Sequence, residues 1–151
     1  MNEDRVPLSK SLVGTWMLLS REDRTREGRV HPDPGLGGDP IAILIYDGAG
    51  NFAAQFMKRD RSAPTPAAVR SEAPNNSRAQ GGYDAYFGTY TVDDRQGTVT
   101  QRLVGALSQE NVGMVLTRTM TVEAGELTIR LGTTALDGAS IVRTLRWRKA
   151  G

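Results

Sequence analysis

The stretch Leu12-Val13-Gly14-Thr15-Trp16 opens the first β-rich run of the chain, and Leu145-Arg146-Trp147-Arg148 lies in the last one. A glycine stands two residues before a tryptophan in the first stretch, and a tryptophan stands between two arginines in the second. We interpret these stretches as the first and last strands of one sheet, which meet and close it. A closed sheet of about eight strands has an interior that holds side chains or one small ligand. The two stretches therefore predict a pocket without saying what fills it.

Short β-rich runs separated by turn residues fill most of the chain, and helical periodicity is nearly absent. The predicted strands cover residues 12–24, 41–46, 51–58, 83–93, 97–107, 113–123, 126–132 and 140–149. Most connections are hairpin-sized, and Asp47-Gly48-Ala49-Gly50 supplies the glycines that a tight hairpin needs. The sequence thus predicts an all-β fold, in which a single domain, 1–151, forms an eight-stranded up-and-down antiparallel β-barrel. A β-sandwich stays an alternative, because strand spacing alone does not show closure.

Two segments interrupt the hairpin pattern. Residues 27–40 contain Pro32, Pro34 and Pro40, so no strand runs through them and we predict a loop over one end of the barrel. The second segment, residues 59–82, is rich in Pro, Ala, Ser and Asn. We predict a long loop there, or a short helix over residues 66–72, where Pro66 suits a helix start. A mobile lid and a flexible insertion are equally compatible with this composition.

The composition excludes several classes of protein. With no cysteine and one histidine, the sequence offers no thiolate or histidine cluster, so we expect neither a metal site nor a cofactor. The net charge is +2, and the arginines are interspersed with Asp and Glu, which argues against a nucleic-acid partner. The charged start and the absence of an apolar run of about 18 residues predict no membrane span. We therefore expect a cytoplasmic protein.

Several motifs, taken in order, resemble a known family. They are Leu12-Val13-Gly14-Thr15-Trp16, Leu44-Ile45-Tyr46 followed by Gly50, Ala85-Tyr86-Phe87-Gly88-Thr89-Tyr90-Thr91-Val92-Asp93, Thr98-Val99-Thr100, and Leu145-x-Trp147. Over most of the chain these motifs resemble the bacterial and fungal lipocalin-like domain family. The chain departs from the family pattern at Gln101, where histidine is frequent, and at Asn111-Val112-Gly113, where Asn-Trp often precedes the glycine. No role of that histidine or that tryptophan is therefore carried over.

The resemblance implies a barrel that holds a small, largely apolar molecule. It also implies that Trp16 plugs the closed end, with a basic residue of the last strand packed over the ring. Arg146 and Arg148 are the candidates for that basic residue. Related barrels in biosynthetic clusters act as cyclases or isomerases, so an enzymatic role is open by analogy alone.

The fourth predicted strand carries Tyr86, Gly88 and Tyr90 on one face, and Asp84 joins them near the entrance. Gly88 removes a side chain from the middle of the strand, which either relieves barrel curvature or opens room for a ligand. Two inward phenols would donate hydrogen bonds to a ligand carbonyl and would stabilise an enolate. Tyr86 and Tyr90 are therefore candidate binding and catalytic residues.

Two arginines fall among apolar residues on faces that we interpret as inward. Arg118 lies in the middle of the apolar face of the sixth strand, and Arg143 shares a face of the eighth strand with Trp147. An arginine in apolar surroundings is costly unless it is paired. Each therefore needs an internal carboxylate or an acidic ligand, or it extends to a barrel end. Arg118 is the third candidate catalytic residue, and an anionic or enolic ligand follows from this pattern.

The predicted cavity wall combines these residues with inward aromatic and apolar side chains and one amide. The predicted ligand-binding residues are Trp16, Leu18, Phe52, Phe56, Tyr86, Tyr90, Gln101, Leu103, Met114, Leu116, Arg118, Met120, Arg143 and Trp147.

Three functions are compatible with these residues. The first is a binding module for a small hydrophobic molecule, acidic or polyketide-like, which Arg118 and the tyrosines orient. The second is a cofactor-independent isomerase or cyclase of secondary metabolism, acting on an enolisable or polyene substrate in the same cavity with Tyr86, Tyr90 and Arg118. The third is a structural or partner-binding β-domain with a filled interior. A homodimer is an open alternative for each of them.

Overall fold

The computed structural model describes residues 6–33, 35–62, 79–135 and 137–151. Its eight strands form one closed barrel in which each strand pairs with the next and β8 pairs with β1, all antiparallel. The strands are β1 (Gly14–Arg24), β2 (Ile41–Tyr46), β3 (Asn51–Met57), β4 (Tyr83–Asp93), β5 (Thr98–Ala106), β6 (Val115–Glu123), β7 (Glu126–Thr134) and β8 (Ser140–Lys149). The predicted up-and-down barrel is confirmed, and closure excludes the β-sandwich.

The first and last strands meet as the opening stretches of sequence predict. Trp16 lies opposite Lys149 and Leu18 opposite Trp147, but the register then shifts, so that Ser20 pairs with Arg146. One extra residue in β1 reverses which side chains point inward beyond it. Strict alternation from Trp16 and Leu18 would turn Ser20 inward, but Ser20 is exposed, and Arg21 and Asp23 are buried instead.

The end of the barrel that carries the β2–β3, β4–β5 and β6–β7 hairpins is here called the closed end. A short helix, α1 (Leu8–Ser11), packs there against β4 and β6. Ser9 ties the helix down, because its backbone N and its Oγ donate to the two carboxylate oxygens of Asp94 at 2.8 and 2.7 Å. The sequence predicts a strand from residue 12, whereas β1 begins at Gly14 and Leu12 follows the helix as a fully buried residue.

The opposite end, here called the loop end, carries the longer connections. Residues 27–40 contain no strand in their described part, as predicted, and fold over this end. The backbone N of His31 donates to the carbonyl of Asp23 at 2.7 Å, and Leu36 is fully buried in the core. A 3₁₀ turn, Gln109–Asn111, follows β5. The predicted helix at 66–72 and most of the insertion 59–82 lie outside the described residues.

Gly88 has a structural reason to be a glycine. The register between β4 and β5 shifts between Phe87 and Gly88, and this brings the two backbones close together. A Cβ on Gly88 would overlap the carbonyl oxygen of Arg102 and lie 2.9 Å from the backbone N of Val104. Of the two interpretations of Gly88, the structure therefore supports barrel curvature, and the space is taken by backbone and not by a ligand.

Candidate functional site

Trp16 plugs the closed end of the barrel. Its ring is fully buried, and its Nε1 donates to the carbonyl of Leu12 at 2.9 Å. The basic group over the ring is the Nζ of Lys149, 5.4 Å from the ring centroid. The prediction that Arg146 or Arg148 packs over the ring is wrong. Both side chains lie on the exposed outer face of the barrel, and Lys149 is the residue opposite Trp16.

The barrel interior contains a narrow cavity toward the loop end. Only ≈ 20 Å³ within it admits the centre of a water molecule. That is room for about one water molecule. The cavity is lined by Leu44, Phe56, Tyr86, Gln101, Arg118, Met120, Ile129, Leu131, Arg143, Leu145 and Trp147.

Half of the predicted ligand-binding residues line this cavity, and the other half do not. The predicted residues that line the cavity are Phe56, Tyr86, Gln101, Arg118, Met120, Arg143 and Trp147. Those that do not line it are Trp16, Leu18, Phe52, Tyr90, Leu103, Met114 and Leu116. Phe52 and Leu103 are buried elsewhere in the core, and Met114 precedes the first residue of β6.

Tyr90 is placed away from the cavity. It is only partly buried, and its hydroxyl donates to the carbonyl of Asp47 at 2.5 Å. Asp47 belongs to the β2–β3 turn at the closed end, so this phenol holds a hairpin in place. The structure therefore gives no support to Tyr90 as a catalytic or ligand-binding residue.

A buried phenol and an amide form a polar contact inside the barrel. Gln101 donates from Nε2 to the hydroxyl of Tyr46 at 2.6 Å. Burial raises the pKa of Tyr46 well above its ordinary value, and the neighbouring Tyr86 phenol adds to the effect. Tyr46 therefore stays neutral, and Gln101 already has a partner within the protein.

Two ion pairs lie inside the loop end. Arg143 binds Asp23 through two bonds, with Nε 2.8 Å from Oδ1 and Nη2 3.1 Å from Oδ2. Arg21 places Nη1 2.6 Å from Oδ2 of Asp33, a residue of the β1–β2 loop, and all four residues are buried or nearly so. Burial lowers the pKa of Arg21, and the nearby Arg143 cation lowers it further. The internal carboxylate that the sequence allows for Arg143 is thus Asp23.

Asp84 is a fully buried carboxyl group beside this cluster. Its Oδ1 accepts a hydrogen bond from the backbone N of Ala85 at 3.0 Å, and its Oδ2 has no hydrogen-bond partner among the described residues. Burial raises the pKa of Asp84 to about 7, against the opposing effects of the Ala85 N–H and the Arg21 and Arg143 cations. Asp84 therefore exchanges a proton near neutral pH.

Arg118 has no comparable carboxylate. The residue is 9% exposed, and its Nη1 donates weakly to the carbonyl of Thr117 at 3.3 Å. Among the described residues, its Nη2 has no hydrogen-bond partner and no carboxylate forms an ion pair with it. Burial lowers the pKa of Arg118, while the Tyr86 phenol acts in the opposite direction. A cation with a free donor therefore faces the cavity.

The comparison with known families agrees with this geometry. The model of one protein family, described as a lipocalin-like domain, matches residues 13–150. The chain belongs to the lipocalin-like domain family. A comparison with curated proteins gave no match. Membership of this family suggests that the barrel binds a ligand in its cavity.

Sequence reasoning missed several residues of the lipocalin-like barrel's interior. Apolar residues alternate along β7 at Leu127, Ile129 and Leu131, which is a clear inward pattern. This pattern was sufficient to predict that Ile129 and Leu131 line the cavity. The sequence of β2 is Ile-Ala-Ile-Leu-Ile-Tyr, which is apolar on both faces. The inward orientation of Leu44 therefore could not be predicted from alternation. Arg21 and Asp23 point inward only because of the register shift in β1.

Two features are absent from the described residues. Within the described ranges, no group of three or more His, Cys, Asp or Glu residues is arranged to hold a metal ion. Within the same ranges, no α-helix has the length and apolar character needed to cross a lipid bilayer.

Proposed function

We propose that the lipocalin-like barrel binds a small, largely apolar molecule that carries one acidic group, with Arg118 as the anchor for that group. The observation that carries this proposal is the state of Arg118: it is buried, it faces the cavity, and it has an unpartnered Nη2 and no carboxylate partner among the described residues.

A filled structural interior accounts poorly for this arginine. An unpaired charge in an apolar interior costs several kcal/mol, on the order of 3–5 kcal/mol when one partner of a buried pair is absent. A structural core would be more stable with an aliphatic residue at position 118. An anionic ligand removes the cost, because it supplies the missing counter-charge and accepts the free donor.

The rest of the lining suits the apolar part of such a ligand. Phe56 and Trp147 pack edge to face with ring centroids 5.7 Å apart, and Ile129, Leu131 and Leu145 complete the wall. Since only ≈ 20 Å³ is open to water centres, a ligand has to displace side chains. Met120 and Arg118 are long, unbranched lining residues, so their rotamers change most easily.

The second candidate function is a cofactor-independent isomerase or cyclase, and one observation favours it. Asp84, with a pKa of about 7, would serve as a proton acceptor or donor at neutral pH. It lies opposite Phe56 in the β3–β4 register and shares an inward face with Tyr86. Asp84 lies outside the cavity lining, so side chains have to move before a substrate reaches it. In this reaction Asp84 then takes a proton from the carbon next to a substrate carbonyl and returns it to another carbon, while Arg118 and Tyr86 stabilise the intermediate enolate oxygen. An Asp84→Asn variant would then lose turnover while retaining ligand affinity.

The binding proposal is tested by calorimetric titration with decanoate and with its methyl ester. We expect the parent protein to bind decanoate at least about tenfold more tightly than the ester, since hydrogen bonds to charged groups contribute about 1.5–3 kcal/mol. Arg118→Met should remove this preference.

Arg146→Met is the matched control, because Arg146 is exposed on the outer face of the barrel and pairs with Glu126. This variant should retain the preference for the acid. Equal affinity of the parent protein for acid and ester, or an unchanged preference in Arg118→Met, would overturn the proposal. A homodimer, a cytoplasmic location and the absence of a nucleic-acid partner stay predictions.

A further inference from the structure

The barrel wall diverges between β6 and β7 on the side of the loop end. Pairing of these strands runs from Glu123 and Glu126 only as far as Thr119 and Arg130. Both strands continue beyond that point, since β6 begins at Val115 and β7 ends at Thr134. Residues 115–118 stay paired with β5, and residues 131–134 stay paired with β8. The two strands are therefore both intact where they separate.

A solvent-open groove lies over this separation, here called the β6–β7 gap. About 370 Å³ of this open groove is accessible to the centre of a water molecule. The lining includes Thr117, Arg118, Thr119, Arg130, Leu131 and Gly132. Arg118 and Leu131 also line the interior cavity, so these two residues separate the cavity from the groove.

The charge of the β6–β7 gap is positive. Arg118 and Arg130 both line it, and none of the described residues that line it is acidic. Arg118 is 9% exposed, and its Nη2 is buried without a hydrogen-bond partner among the described residues, whereas Arg130 is exposed. A buried cation attracts an anion more strongly than an exposed one because the surroundings screen it less.

The described part of the loop end is a poorer entrance. Leu36 is fully buried there, and Asp33 of the same loop is held by Arg21 at 2.6 Å. A ligand that entered by this route would have to break an internal ion pair. At the β6–β7 gap, the residues that line both the groove and the cavity are Arg118 and Leu131, and neither forms an ion pair with a carboxylate among the described residues.

We propose that the ligand enters through the β6–β7 gap and keeps its carboxylate there, between Arg118 and Arg130, with its apolar part in the interior cavity. This inference rests on the proposed function and adds the orientation and chemical class of the ligand. The ligand is an amphiphile whose anionic head faces outward. An extension on the carboxylate side, as in an N-acylglycine, is accommodated in the groove, whereas a bulky group at the apolar terminus is not.

The gap can be blocked at Gly132. A Cβ there would meet nothing within 4 Å, and the backbone is not in the left-handed region, so a side chain is tolerated. The chain contains no cysteine, and Gly132→Cys therefore introduces a single thiol that a benzyl methanethiosulfonate can modify and dithiothreitol can restore. Thr128→Cys is the control, since residue 128 lies on the same strand where β6 and β7 are paired.

The probe is the fluorescent polyene acid cis-parinarate, followed by stopped-flow mixing. We expect the modified Gly132→Cys protein to associate with the probe at least about tenfold more slowly than the unmodified protein, with recovery after reduction. The modified Thr128→Cys protein should associate at the parent rate. If modification at 132 leaves the association rate unchanged while Arg118→Met still abolishes the preference for acid over ester, the entry route is overturned and the proposed function stands. If the parent protein binds no apolar acid, both fail.

Discussion

Arg143 and Asp23 form a doubly hydrogen-bonded ion pair inside the barrel, with Nε 2.8 Å from Oδ1, Nη2 3.1 Å from Oδ2, and side chains that are 2% and 3% exposed. The two residues lie opposite each other on β8 and β1. The pair exists because the register shift in β1 turns Asp23 inward. It gives one internal arginine a carboxylate partner and leaves Arg118 without one among the described residues.

Asp23→Asn should destabilise the protein strongly. Removing one partner of a buried ion pair leaves the other charge uncompensated, which costs about 3–5 kcal/mol. Urea denaturation measures the loss. The double variant Asp23→Asn with Arg143→Met should recover part of it, because the uncompensated cation is then absent. Glu126→Gln, which breaks the exposed pair with Arg146, should cost about 1 kcal/mol or less. Equal losses in the two single variants would contradict this account.

Asp84 should make the folded state less stable as the pH rises. Its pKa is raised from 3.8 to about 7 by burial, so the folded state binds the proton more tightly than the unfolded state. The free energy of unfolding therefore falls between about pH 4 and about pH 7, by roughly 2–4 kcal/mol at about 1.4 kcal/mol per pKa unit. Urea denaturation of the parent protein and of Asp84→Asn over this range should show the parent losing stability relative to the variant.

Asp47→Asn provides a control of opposite sign. Hydrogen bonds from Asn51, first its side chain and then its backbone, lower the pKa of Asp47. The stability that Asp47 contributes is therefore present above the unfolded pKa and is lost in acid. If Asp84→Asn and Asp47→Asn changed the pH dependence in the same direction, the assignment for Asp84 would be wrong.

Gly88→Ala should destabilise the barrel by at least about 2 kcal/mol, because the new Cβ overlaps the backbone of β5 and neither strand can yield without breaking pairs. Thermal denaturation followed by circular dichroism measures the effect. Gly132→Ala is the matched control, since its Cβ meets nothing within 4 Å. It should be neutral or slightly stabilising, because it reduces the entropy of the unfolded chain. A neutral Gly88→Ala would refute the close approach of β4 and β5.

The two tryptophans should report differently on ligand binding. Trp147 lines the cavity, and its buried Nε1 has no hydrogen-bond partner among the described residues. Trp16 lies outside the lining and is already bonded to Leu12. Decanoate should therefore change the emission of Trp16→Phe, which retains Trp147, and leave the emission of Trp147→Phe unchanged. The reverse result would place the ligand at the closed end.

The sequence predicts the barrel well because hydrophobic alternation and turn residues are local signals. The bounds of β2, β4 and β8 agree with the structure, and the meeting of the first and last strands is confirmed. The interior chemistry was predicted only in part. Arg118, Arg143 and Trp147 follow from alternation along single strands, whereas Arg21 and Asp23 depend on a register shift that leaves no simple signal in the sequence.

Loop residues and strand ends account for the remaining differences. Asp33 reaches Arg21 from a proline-rich loop, and no periodic pattern specifies such a contact. The basic residue over Trp16 is Lys149, because the register of β1 against β8 decides which residue is opposite. The hydroxyl of Tyr90 points to a turn and not to the cavity, which strand alternation alone does not distinguish near the closed end.

Arg118 is proposed to anchor an acidic ligand whose apolar part lies inside the barrel. The most direct test is a crystal structure with ω-bromodecanoate, in which anomalous scattering locates the bromine. The account predicts bromine inside the barrel near Phe56 and Trp147, with the carboxylate within hydrogen-bond distance of the Arg118 guanidinium. Bromine on the outer surface, or a carboxylate bound elsewhere with Arg118 still unpaired, would contradict it.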